Sequence, residues 1–205
     1  MYRAHRGTDR AVNYLAHLYL ADEQPDAVIG ALAGDFIKGP VPNDLSPTMR
    51  HAVWQHRRID AYTDSHPLVL RSKRRISPRY RRYAGILVDM FYDHFLAANW
   101  AHYDPRPLEM YAANIYDIVA SQTDPGPGRM ASAMEFMIQH NTLVGYRDAR
   151  GIAMALRGIE TRLRRPSELG NAISELHDNY APLEEDFAQF FAALIDYVAA
   201  DKESR

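Results

Sequence analysis

Gly85-Ile86-Leu87-Val88-Asp89-Met90-Phe91-Tyr92-Asp93-His94-Phe95-Leu96 is the stretch on which the fold reading turns. Its apolar residues Leu87, Met90, Phe91, Phe95 and Leu96 recur at intervals of three and four, the spacing of a helix face rather than the alternation of a strand. Phe187, Phe190, Phe191, Leu194 and Ile195 repeat that spacing near the C-terminus. Between these segments, Gly and Pro cluster at Gly39 to Pro47, Pro105 to Pro107, Pro125 to Gly128 and Arg165 to Gly170, cutting the chain into pieces of helical length. Strand signals are nearly absent, so the expectation is an all-α, single-domain helical bundle. Helix starts are expected where Asp26 precedes Ala27 to Lys38, where Ser46 precedes Pro47 and where Ser167 precedes Glu168, because short oxygen-bearing side chains cap orphan amides.

Composition narrows the chemistry. With 205 residues, 47% of them apolar, the chain can bury one core. It has no cysteine, which removes disulfides, thiolate zinc sites and cysteine nucleophiles; any metal is left to His, Asp, Glu and water. No window approaches the length of a spanning segment, and the first ten residues lack the apolar run of a signal peptide. A cytoplasmic protein with no membrane partner is expected. A net charge of -2 gives no global attraction to nucleic acid.

Charge is nonetheless uneven. Arg71, Lys73, Arg74, Arg75, Arg79, Arg81 and Arg82 fall within twelve residues, whereas Glu184, Glu185 and Asp186 gather near the C-terminus. Such a basic run suits the docking of an acidic macromolecule, with a solvated helix face as the competing reading. Only Tyr80 and Tyr83 interleave with it, which argues against single-stranded nucleic acid.

The residues able to carry chemistry are carboxylates and imidazoles. His56 and Asp60 lie four apart, on one helix face and able to share a metal or to form a surface ion pair; Thr63 and Asp64 extend that face. Asp89 and Asp93 form a second pair, with His94 adjacent, inside the apolar run quoted above. Carboxylates there need a metal, an arginine such as Arg57 or Arg58, or a cap. Asp35 follows the small-residue segment Gly30-Ala31-Leu32-Ala33-Gly34, where a helix macrodipole opposes negative charge and a cation or Lys38 would balance it. His17 sits in the apolar stretch Asn13 to Ala21, as a core histidine or a ligand; His66, His140 and Asn141 share that ambiguity. An oxygen-rich set with imidazoles suits manganese, magnesium or iron, and with it phosphate-ester hydrolysis. No dinucleotide fingerprint, phosphate-binding loop or nucleophile elbow is present.

Four of these motifs, Asn13 to Ala21, Gly34-Asp35-Phe36-Ile37-Lys38-Gly39, His56 to Pro67 and Asp93-His94-Phe95-Leu96, resemble in order and spacing the bacterial acyl carrier protein phosphodiesterases. The resemblance implies an all-helical, divergent HD-type phosphohydrolase, manganese-dependent, acting on the phosphodiester that joins phosphopantetheine to its carrier. It implies Asp35, His56, Asp60 and Asp93 as metal-binding and catalytic residues, with His94 a further ligand and His17, Asp64, Asp89 and His140 around them. Lys38, Arg57 and Arg58 become phosphate-binding candidates, and the run from Arg71 to Arg82 a docking surface for the acidic holo-carrier. Family members begin at the Asn13 motif, so residues 1–11 are expected to be a disordered or over-extended leader before a domain spanning 12–205. Two other readings stand beside this one: a phosphohydrolase of nucleotides or other small diesters, and a non-catalytic carrier-binding module.

Overall fold

Helix α5 (Ala84–Ala98), formed by the stretch that decided the reading, is buried on nearly every side. A helix apolar all round belongs at the centre of a bundle, and the other helices assemble about it. In this computed structural model, which describes residues 13–122, 128–161, 163 and 167–203, they run as α1 (Tyr14–Leu20), α2 (Pro25–Ala33), α3 (Pro47–Ser65) and α4 (Pro67–Arg75) before it. After it come α6 (Leu108–Ala120), α7 (Gly128–Gln139), α8 (Thr142–Gly145), α9 (Ala149–Glu160), α10 (Ile173–Asp178) and α11 (Tyr180–Glu203). No strand occurs among the described residues, so the all-α expectation holds. Residues 1–11, expected to form a leader, lie outside the described ones.

One apolar cluster links Leu15 and Leu18 of α1, Phe91 and Phe95 of α5, and Phe187 and Phe191 of α11. The aromatic rings interlock, with Phe187 and Phe191 stacked at 5.2 Å between centroids. Among the described residues, no helix is long and apolar enough to cross a membrane.

Local chemistry accounts for the boundaries. Ser46 caps α3, its Oγ accepting from the Met49 amide at 3.1 Å with Pro47 following. The start of α2 differs from expectation: Pro25 opens the helix, Gln24 is the cap, and Asp26 lies in the first turn where it accepts from the Ser46 hydroxyl. That helix also ends early, at Ala33, so Asp35 falls just beyond it. Ser167 opens no α-helix; its Oγ accepts from Leu169 N at the start of a 3-10 turn, Leu169–Asn171.

Three anchors fix the helices that matter for the site. The seven-residue α1 has no side-chain cap from Asn13. Instead Asp93 of α5 accepts from the Leu15 and Ala16 amides at 2.9 and 3.0 Å, and Gln55 of α3 donates to the Leu20 carbonyl at 2.9 Å. Helix α2 lies unusually close on α3 because Gly30 faces its backbone: a Cβ there would stand 2.5 Å from the Met49 carbonyl oxygen. Helix α4 is tied to α11 through buried Asp186, which accepts from Ser72 Oγ at 2.8 Å and from Arg71 Nε at 2.7 Å.

Candidate metal centre

The packing of α1 and α2 on α3 brings His17, Asp35, His56 and Asp60 together. His56 Nδ1 lies 2.8 Å from the Ala31 carbonyl oxygen, so it carries the proton and donates. That fixes the tautomer and leaves Nε2 bare, as second partners of metal-binding histidines do. Nε2 faces Asp35 Oδ1 at 3.7 Å and Asp60 Oδ2 at 3.5 Å. The ring of His17 stacks on that of His56, centroids 3.8 Å apart and planes 13° from parallel. Its Nε2 stands 3.2 Å from Asp60 Oδ1.

His17 is 3% exposed; its Nδ1 has no hydrogen-bond partner, and its Nε2 meets only the Asp60 carboxylate, as an ion-pair contact without good hydrogen-bond geometry. Buried polar atoms are nearly always satisfied, so a buried imidazole with an unpartnered Nδ1, packed against a carboxylate and a second imidazole, asks for a ligand. His17, His56 and Asp60 each offer one ligand atom, all within 4.8 Å of one another. The donor chemistry, two imidazoles and a carboxylate with Asp35 beside them, fits a first-row divalent ion.

The electrostatics point the same way. Burial pulls His56 down, but Asp35 and Asp60 outweigh it and push the imidazole up to about 10. Asp60 is held well below the usual carboxylate range by His17 and His56, against the opposing effect of burial. Burial, with the neighbouring His56, lowers His17. Without an ion the group therefore draws in a proton; a divalent cation would take that proton's place, which is how metal binding releases protons.

This group borders a shallow, open cleft lined by Asn13, Asp35, Asp60, Thr63, Asp64 and Asp89. Asp60, Thr63 and Asp64 come from one face of α3, as the four-residue spacing dictates.

Other expected site residues are placed elsewhere. Asp93 is fully buried with both carboxylate oxygens engaged by α1, while Asp89, one turn earlier, reaches the cleft. His94 points toward α8 and α11: Nδ1 donates to the Tyr146 carbonyl at 2.9 Å and Nε2 accepts from the Tyr180 hydroxyl at 3.1 Å. Arg57 donates to the Ile37 carbonyl at 2.7 Å, Arg58 pairs with Asp201 at 2.8 Å, and Lys38 is exposed. His140 is exposed against Phe136. Of the basic run, Arg71 and Arg75 bind Asp186, Arg79 pairs with Glu168 and Lys73 with Asp64. Arg74, Arg81 and Arg82 project into solvent.

Two contributors escaped the sequence reading. Gly34 makes room for His56, whose Cγ would stand 2.2 Å from a Cβ at that position. Asn13 lines the cleft, and its place at the head of the motif containing His17 was the available signal.

Fold and site together define an all-α protein in which two buried histidines and the half-exposed Asp60 form a group able to hold a metal ion, beside a carboxylate-lined cleft. The chain belongs to the acyl carrier protein phosphodiesterase family, whose family model matches residues 12–194. Similar curated proteins bear the name acyl carrier protein phosphodiesterase. One from Photorhabdus laumondii is 32% identical over 192 residues, covering 90% of this chain and 94% of its own. Another, from Enterobacter sp. (strain 638), is 33% identical, covering 90% and 96%. A third, from Yersinia enterocolitica, is 30% identical and covers 94% and 100%. No solved structure matches the chain.

Proposed function

We propose that this protein hydrolyses the phosphodiester of holo-acyl carrier protein, giving apo-carrier and 4'-phosphopantetheine, with a divalent ion held by His17, His56 and Asp60. The buried pair of imidazoles, His17 and His56, converging with Asp60 within 4.8 Å is the observation that carries the reading. Family membership supplies the substrate, and manganese is the ion the family resemblance implies, with magnesium or iron as the nearest alternatives for such donors. When bound, the ion supplies Lewis acidity toward a phosphoryl oxygen and lowers the pKa of water. The chain's own residues do the rest. Asp35 faces the bare nitrogen of His56, and the Ala31 carbonyl holds that ring in one tautomer.

The test is intact-protein mass spectrometry of holo-carrier incubated with manganese-loaded protein. Loss of the phosphopantetheinyl group is expected, abolished by chelator and in Asp60→Ala, whose metal content should also fall to background. An unchanged carrier mass with well-folded, metal-loaded protein would refute the reading in favour of a small-diester substrate.

Docking of the acidic carrier falls to Arg74, Arg81 and Arg82, because Arg71 and Arg75 are committed to buried Asp186. Converting these three to Glu is expected to raise KM for holo-carrier by about tenfold at low salt, with kcat little changed, since rim charges act on encounter rather than chemistry. Unaltered KM at low ionic strength would remove the docking role. Arg75→Glu, by contrast, sets a negative charge against Asp186 and should unfold the α4–α11 junction instead of reporting on docking.

A further inference from the structure

Lys73 stands apart from the other cations of the basic run. Its ammonium lies 2.8 Å from Asp64 Oδ1, and Asp64 lines the cleft together with Asp35, Asp60, Thr63 and Asp89. Lys73 is also the more sheltered partner, its side chain 18% exposed against 48% for Asp64. Asp64 sits four residues, just over one turn of α3, beyond Asp60, a rise of about 6 Å along the axis. The ammonium is thereby paired with a carboxylate of the cleft lining, which sits roughly one helical turn along α3 from the carboxylate that completes the His17–His56–Asp60 group, although Lys73 does not itself line the cleft.

The cleft needs such a charge. Its lining presents four carboxylates, from Asp35, Asp60, Asp64 and Asp89, and an incoming phosphodiester is an anion. The arginines nearest in sequence to His56 are engaged away from the cleft lining, Arg57 with the Ile37 carbonyl and Arg58 with Asp201. Arg71 and Arg75 are bound to a fully buried carboxylate, whose desertion would be costly. The Lys73–Asp64 pair is different, since its carboxylate is half-exposed and exposed ion pairs add little to stability. Its ammonium can exchange one oxyanion for another with little loss, and a compact charge on a flexible stem suits phosphate as a point contact.

We propose that Lys73 is a phosphate-binding residue of the cleft, leaving Asp64 to meet a non-bridging phosphoryl oxygen of the substrate ester. This rests on the phosphodiesterase reading for its substrate, but the anion site itself is testable without turnover. Lys73 would then join two surfaces: Arg74, one residue on, faces solvent for docking, while Lys73 reaches the cleft-lining Asp64.

The experiment is calorimetric titration of manganese-loaded protein with inorganic phosphate, in wild type, Lys73→Met and Lys73→Arg, alongside steady-state kinetics on holo-carrier. Lys73→Met is expected to weaken phosphate binding at least tenfold and to lower kcat/KM by a similar factor, with metal stoichiometry and melting temperature unchanged. Lys73→Arg should restore most of the phosphate affinity. Phosphate binding equal to wild type in Lys73→Met overturns the assignment, as does a raised KM for carrier without loss of phosphate affinity, which would make Lys73 a docking residue only. Absence of phosphate binding to the wild type overturns it too. Lys73-dependent phosphate binding in a protein that leaves holo-carrier intact would retain the anion site and refute the carrier as substrate.

Discussion

Gly34→Ala is expected to lower kcat/KM for holo-carrier by about a hundredfold or more, the scale on which a displacement of about 1 Å disables a catalytic arrangement. The added Cβ would lie 2.2 Å from Cγ, 2.5 Å from Cδ2 and 2.7 Å from Cβ of His56. These are the root and ring of a buried side chain, 3% exposed and bonded to the Ala31 carbonyl, so the imidazole cannot swing clear and keep its partner. Backbone conformation is not the obstacle, because Gly34 has φ -51 and ψ -36, values any residue adopts. Overpacking costs about 1–3 kcal/mol, and because Gly34 is the C-cap of α2, beyond its helical span, alanine recovers little of that through helix propensity. The variant should therefore fold, melt only a few degrees lower, and bind manganese weakly. Wild-type metal affinity together with wild-type turnover would show that His56 has no part in the site.

The sequence reveals the helical class because periodicity survives in every long segment, α5 and α11 above all. It also points to the neighbourhood of the metal group, since four-residue spacing forces His56 and Asp60 onto one face whatever else the chain does. What it cannot assign is which face looks where. Asp89 and Asp93 share the same spacing and the same helix, yet Asp89 reaches the cleft while Asp93 lies under α1. His94, about 100° further round, turns to Tyr146 and Tyr180. The sequence favours Asp93 over His17 because a buried carboxylate is the rarer event; the backbone amides that satisfy it are 77 and 78 residues away and leave no local trace.

The basic run is a similar case. Seven cations in twelve residues read as one stripe, but a 3.6-residue period distributes them around α4 and the turn that follows. Arg71 and Arg75 find Asp186, 115 residues from Arg71, Lys73 and Arg79 pair with Asp64 and Glu168, and Arg74, Arg81 and Arg82 project into solvent. Likewise Arg57 and Arg58, adjacent in sequence, part company toward Ile37 and Asp201. Long-range partners of charged groups are the information that a local pattern lacks.

Asp93→Ala should destabilise the protein by about 3–5 kcal/mol, the range for removing the partner of two buried donors. The Leu15 and Ala16 amides would be left unpaired at the start of α1, the helix that presents His17, so metal affinity should fall along with melting temperature. Asp93→Asn keeps one acceptor and places an amide against the second donor, and roughly half the loss is expected. The pH dependence separates this buried cap from an ordinary salt bridge. Burial raises the Asp93 carboxyl, the two amides oppose it and Asp89 adds to the rise, which leaves it pushed up to about 8. A carboxyl whose folded value exceeds its unfolded value of about 3.9 takes up a proton on folding. Its contribution is therefore complete below pH ~4 and fades as pH rises toward ~8. Wild-type stability measured by denaturant should show that decline, and Asp93→Asn, with nothing to titrate at that position, should show a flatter profile across the same window. A wild-type protein that instead gained stability from this residue as pH rose would mean that the amides, not burial, govern the carboxylate, and that Asp93 holds α1 as an ionised cap.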